Sequence, residues 1–332
     1  MPFYSCKSAP EQQSGISGIE GFDFLDSTQA AERIATDQKE LFFNYINVLD
    51  MSIQLKASFP DSTDREIVLA EYKNSLQTTV MGFSKVDLDF IKKALTNIFA
   101  TSAFDLKKII NKPIALIKVS GIHYGEGTYY TRENCIIIPA NELQNPISSD
   151  FEKVIKHELF HIYSRYHPEK RKALYELIGY KSIGDIRHLQ MNQRLRSRIL
   201  LNPDGINYAY AINLQKESKA FQAIPLIIAN KEQFDTNQTA FFNYLQFDLY
   251  KIQPPFSRLI KVESTIEGES IIHYKEQPEF WTQIGDNTDY IIHPDEVLAD
   301  NFVLLLNGEA SWEELSPRGQ ELLMAMKRII FE

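Results

Sequence analysis

His157-Glu158-Leu159-Phe160-His161 constrains this chain more than any other stretch. Residues four apart lie one above the other on a helix face. Two imidazoles so placed can hold one metal ion from one side. Glu158 follows the first imidazole, where a carboxylate can reach water on that metal and act as general base. The flanking sequence predicts the helix. Phe151, Val154, Ile155, Leu159 and Ile162 recur at helical spacing, and Ser149 with Glu152 is spaced as a capping box at its start. Two histidines and a glutamate are costly to bury without partners. The plainer alternative is a solvated helix face that happens to carry two histidines.

A length of 332 residues allows a large core, in one big domain or two. Hydrophobic content of 44% and aromatic content of 12% fit a folded globular protein. The net charge of −9, from 35 basic and 44 acidic residues, argues against sequence-independent nucleic-acid binding. The two cysteines, Cys6 and Cys135, form neither a CxxC nor a disulfide framework. The N-terminus carries no apolar core of a signal peptide and no apolar run approaches membrane-spanning length, so a cytoplasmic location is favoured unless a signal has been removed or the protein is exported without one. No pattern reports the oligomeric state.

Along the chain, residues 1–25 read as a loose lead-in, 26–110 as a helical N-terminal region, and 111–332 as the domain that holds the motif. A long amphipathic helix is predicted from Ser27 to Leu49, a second from Asp64 to Val80, and a third behind a Ser84/Asp87 capping box. Ile114–Val119 reads as a strand; 128–131 and 135–138 read as a hairpin. That hairpin is either a sheet edge that pairs with an extended substrate or an ordinary core hairpin. Pro168 predicts a new helix, and a further mixed basic and apolar helix is expected over 187–201. Asn202-Pro203-Asp204-Gly205 is a turn. Strands follow at 207–213 and 223–229, and helices return over 293–306 and 317–330.

A catalytic zinc ordinarily takes three protein ligands and keeps one position open. Three residues compete for the third place. Glu296 stands just inside a helix opened by Pro294, and Asp300 lies one turn further on the same face. One carboxylate can bind the metal while the other accepts the second ring N–H of a ligating histidine. His167 stands where a metzincin-type HExxHxxGxxH motif puts its last histidine, but Ser164 replaces the glycine that lets that backbone turn. Asp289, in Gly285-Asp-Asn-Thr-Asp289, is the third candidate.

HELFH followed far downstream by Glu296-Val-Leu-Ala-Asp300 resembles the gluzincin clan of zinc metallopeptidases, whose motif is HExxH with a later ExxxD. The resemblance covers two helices. It implies His157, His161 and Glu296 as zinc ligands, Glu158 as general base and Asp300 as the partner of His157. It also implies an α+β, zincin-like fold, with a mixed sheet above the active-site helix and a mostly helical C-terminal part. The long stretch between His161 and Glu296 then reads as an elaboration.

The expected activity is zinc-dependent hydrolysis of peptide bonds in a peptide or protein substrate. One rival is a metzincin-type peptidase that uses His167. The other is a non-catalytic zinc protein on the same fold, which a fourth protein ligand would mark. A peptidase also needs a donor to the oxyanion of its tetrahedral intermediate. Tyr208, Tyr210, His273, Tyr274 and Tyr290 are the candidates, and the sequence does not choose among them.

Overall fold

The computed structural model of the chain describes residues 21–110, 112–204, 209–216, 219–254 and 258–332. Helices and mixed sheets together make an α+β architecture. Strand β1 (Phe22–Phe24) corrects the end of the expected lead-in: both phenylalanines are buried and the strand pairs in parallel within a sheet. Residues 1–20 of that segment lie outside the described residues.

The single helix expected from Ser27 to Leu49 is instead three: α1 (Ser27–Ile34), α2 (Phe42–Tyr45) and α3 (Val48–Leu55). The break has a local cause. The Asp37 carboxylate accepts the backbone N–H groups of Lys39, Glu40 and Phe42, offering this segment an alternative to the helix ladder. Leu41 then adopts a left-handed conformation at φ 60°. Helix α4 (Arg65–Thr78), the short strand β2 (Val80–Met81) and α5 (Lys85–Thr101) follow. The Ser84/Asp87 capping box forms as expected, each side chain accepting the other's backbone N–H.

Strands β3 (Ile114–Val119), β4 (Tyr130–Arg132) and β5 (Cys135–Pro139) complete the first sheet, ordered β1-β3-β5-β4 with β2 joined to β3. β1, β3 and β5 run parallel, and β4 lies antiparallel to β5 at the edge. Both faces are covered. Leu116, Ile136 and Ile138 share a core with Ile91, Leu95 and Ile98 of α5, whereas Ile117 and Ile137 pack with Ile53 of α3 and Val68 and Tyr72 of α4. Burial on two faces is why β5 is an uninterrupted apolar run rather than an alternating one.

Helix α6 (Ser148–Tyr166) carries HELFH and lies in the core with α5 and the sheet. Phe151, Ile155, Leu159 and Ile162 are buried there as their spacing predicts, and Val154 is half-buried against them. The Ser149/Glu152 box does not form. The helix begins two residues earlier, with Ile147 rather than Ser149 at its N-cap, and the Ser148 hydroxyl donates to Glu152 at 2.8 Å.

Helix α7 (Pro168–Leu177) starts at its proline as expected. Strands β6 (Tyr180–Ser182) and β7 (Leu189–Gln190) come next, and the helix expected over 187–201 contracts to α8 (Gln193–Arg198) because its first residues pair as β7. Strands β8 (Tyr210–Lys216), β9 (Lys219–Ala229) and, after α9 (Phe241–Tyr244), β10 (Leu245–Ile252) form an antiparallel sheet ordered β10-β9-β8-β6. β11 (Ile260–Lys261) pairs with β7. The chain ends in α10 (Pro278–Ile284), α11 (Pro294–Asn307) and α12 (Pro317–Phe331). Among the described residues no helix is long and apolar enough to cross a membrane.

Helix α11 packs along α6, and this contact assembles the site. Pro294 opens α11, the His293 ring accepts the N–H of Asp295, and Gly308 ends it at φ 88°. Phe160 of α6 meets Phe302 of α11 with ring centres 5.6 Å apart, in a fully buried contact that fixes the spacing of the two helices.

Candidate metal centre

His157 and His161 sit one turn apart on α6, and Glu296 comes from the first turn of α11. Their ligand atoms lie within 4.8 Å of one another. Oε2 of Glu296 is 3.0 Å from Nε2 of His157 and 3.4 Å from Nε2 of His161, so one carboxylate oxygen and two ring nitrogens converge on one point. Asn202 donates to the other Glu296 oxygen at 2.6 Å, fixing the carboxylate's rotation.

The outward ring nitrogens are also held. Nδ1 of His157 lies 2.9 Å from Oδ1 of Asp300, the pairing that the resemblance of the ExxxD segment implies. Nδ1 of His161 lies 2.7 Å from Asp295, which was not foreseen. Asp295 is itself fixed by the hydroxyls of Ser164 at 3.0 Å and Tyr175 at 2.9 Å. Each carboxylate sets the tautomer of its imidazole and leaves Nε2 free to act as a ligand.

The donor set fits a divalent ion. His161 is fully buried and Glu158 nearly so, yet His161 Nε2 and Glu158 Oε2 have no hydrogen-bond partner. Each unsatisfied buried polar atom costs about 1–3 kcal/mol unless another group meets it. Glu158, Asp204, Asp295 and Glu296 are all buried around two imidazoles, an excess of negative charge that a dication would balance. The mix of imidazole nitrogen and carboxylate oxygen suits zinc.

The titration of these groups follows from the same crowding. Burial lowers the His157 imidazole, but its hydrogen bonds to Asp300 and Glu296 outweigh that and raise it to about 9. Burial opposes the charged form of His161 too, and Glu296, Asp204 and Asp295 hold it well above its ordinary value. Burial would raise Glu296, yet the two imidazoles keep it well below the usual carboxylate range. For Glu158, burial and the neighbouring Asp204 raise the carboxyl to about 8.

The other candidate ligands lie elsewhere. His167 caps the far end of α6, with Nδ1 2.8 Å from the Tyr163 carbonyl and its ring stacked on Tyr163, and it joins no metal-competent group among the described residues. The helix simply continues through Ser164, whose hydroxyl turns inward to Asp295, so the backbone never makes the bend that would bring His167 round. Asp289 is exposed and likewise outside any such group.

Of the oxyanion candidates, Tyr290 lines the cleft with His157, Glu158, Glu296 and Asp300, its ring centre 6.1 Å from that of His157. Tyr210 packs on Tyr175, His273 pairs with Asp248 at 2.8 Å, and Tyr274 lies among Phe247, Phe280 and Trp281. None of these three lines the cleft. Tyr208 falls outside the described residues.

Sequence reading missed Asp295, Asn202 and Asp204. Asp295 had a signal, since it directly precedes Glu296 on the helix. Asn202 and Asp204 had none, because a turn motif does not report what the turn packs against. Comparison with family models, curated proteins and solved structures finds no match for this chain.

Proposed function

We propose that this chain is a zinc-dependent metallopeptidase on a zincin-like fold of gluzincin type, with His157, His161 and Glu296 as the zinc ligands and Glu158 as the general base. The observation that carries the reading is the convergence of two imidazoles and a carboxylate beside a buried, unpartnered Glu158 oxygen. Zinc held there would supply Lewis acidity toward a substrate carbonyl.

The chain's own residues do the rest. Glu158 takes a proton from the attacking water and delivers it to the departing amine. Asp300 and Asp295 orient the imidazoles, and Asn202 holds Glu296. The Tyr290 hydroxyl at the cleft wall is the donor available to the oxyanion. Gly127, Thr128 and Tyr129, which lead into the edge strand β4, border the cleft, where backbone pairing would hold an extended peptide without demanding a particular sequence.

Glu158→Gln tests the reading. Zinc content should be unchanged, while peptide hydrolysis should fall about 10²–10⁴-fold. Wild-type turnover in this variant would remove Glu158 from the mechanism.

A further inference from the structure

The outer edge of β4 is already occupied at one end. The N–H of Thr131 donates to Oδ1 of Asp204 rather than to β5, and the Thr131 hydroxyl reaches the same oxygen at 2.8 Å. Buried Arg165 ties the two segments together, donating to Thr131 Oγ1 at 2.8 Å, to the Asp204 carbonyl at 2.7 Å and to the Glu133 carbonyl at 2.7 Å. Arg132 reaches the Pro203 carbonyl at 3.3 Å. The turn at 202–204 is thus stitched along β4 from Thr131 onward, whereas Gly127, Thr128 and Tyr129 line the open cleft.

A peptide that pairs with this edge therefore runs out of strand at Thr131. The closed end lies beside the metal group, since the ligand atoms of Asp204, Glu158 and His161 are within 4.8 Å of one another. Direction and charge both say which end of a peptide stops there. Antiparallel pairing is the commoner arrangement, and it puts the peptide's amino-terminal side toward the carboxyl end of β4. The acidic groups at the closed end are Asp204, Glu158 and Glu296; Lys153 is the one lysine or arginine among the described residues that line the cleft, and Arg165 lies buried behind Asp204 with its guanidinium on the backbone carbonyl. Carboxylates attract an α-ammonium group and repel an α-carboxylate.

We propose that the closed end is a subsite for a free peptide amino terminus, with Asp204 as the group that receives the α-ammonium, so that residues are released from the amino end. This inference rests on the peptidase reading above. The reaction is hydrolysis of the first peptide bond: the water oxygen joins the carbonyl carbon, the C–N bond breaks, and the departing nitrogen takes a proton.

Calorimetric binding of leucine hydroxamate and N-acetyl-leucine hydroxamate to the zinc-loaded full chain tests the subsite without relying on turnover. The free amine should bind about 30-fold or more tightly, as expected for a buried charge pair. Asp204→Asn, which keeps an acceptor for Thr131, should lose that preference while zinc content stays the same. Equal affinity for the two compounds, or binding of neither, overturns the proposal, and so does loss of zinc from Asp204→Asn, which would make Asp204 a ligand instead. Matched peptides with free and acetylated amino termini complete the test: single residues should leave the free peptide only, and internal cleavage of the acetylated one contradicts the subsite. A preference for the free amine with neither peptide cut keeps the subsite and removes the peptidase reading.

Discussion

At the scale of single residues, the two imidazoles are held by carboxylates of unequal standing. Asp300 serves His157 and also accepts from the Thr288 hydroxyl, at a half-buried position. Asp295 serves His161 and is buried with two further donors, Ser164 and Tyr175. Asp300→Ala should therefore weaken zinc affinity about 10–100-fold and leave the fold intact. Asp295→Ala should weaken zinc affinity and lower stability by about 1–3 kcal/mol as well, because it strands the buried Tyr175 hydroxyl, whereas the Ser164 hydroxyl keeps the His161 carbonyl at 3.2 Å. Competition against a chromophoric chelator, together with denaturant unfolding of the metal-free proteins, separates the two outcomes. Wild-type affinity in both variants would mean that neither carboxylate orients a ligand. The sequence made Asp300 legible through its one-turn spacing from Glu296. It left Asp295 unread, because a side chain's direction at the first turn of a helix depends on what packs against that turn.

At the scale of elements, local signals were read well where the chain satisfies its own backbone. The Ser84/Asp87 box and the prolines that open α7, α11 and α12 mark helix starts that need no tertiary help. The long helix predicted from Ser27 failed because Asp37 captures three backbone N–H groups, an outcome that apolar periodicity does not report. Helix α3 shows how a distant element positions the site. Its Asp50 accepts the N–H of Leu201 at 2.9 Å, and Asn47 at its start donates to the Ile199 carbonyl at 2.6 Å, holding the segment that leads to Asn202 and Asp204.

That anchoring has a pH signature. Burial raises the Asp50 carboxyl to about 6, against which the bonds from Leu201 and Gln54 act. Between its ordinary value and about 6 the folded chain binds more protons at Asp50 than the unfolded chain does. Stability from this group is therefore greatest at low pH and declines as pH rises through that window. The decline amounts to on the order of 3 kcal/mol and persists above it. Asp50→Asn keeps an acceptor for Leu201 and should remove this slope, so that the variant gains on the parent above pH 6 and matches it near pH 4. Denaturant unfolding at pH 4, 5, 6 and 7 measures this, and parallel profiles for the two proteins would contradict it.

At the scale of the whole molecule, the site is a meeting of three segments that are far apart in sequence: α6, the start of α11, and the turn at 202–204. The first two carry short motifs with helical spacing, so their residues could be singled out before the fold was seen. The turn contributes through contacts to Glu296, Thr131 and Arg165, and only the packed chain brings these together. The helices of the N-terminal region reach the same site indirectly: α1, α3 and α4 cover one face of the first sheet, while α5 joins α6 on the other.

The central claim is that α6 and α11 together build one metal site whose third ligand is Glu296. Zinc stoichiometry, measured side by side in the purified parent chain, Glu296→Ala and His167→Ala, tests it most directly. The account predicts one zinc per chain in the parent and in His167→Ala, and loss of zinc from Glu296→Ala, because two imidazoles alone compete poorly with water. Zinc retained by Glu296→Ala and lost from His167→Ala would contradict it.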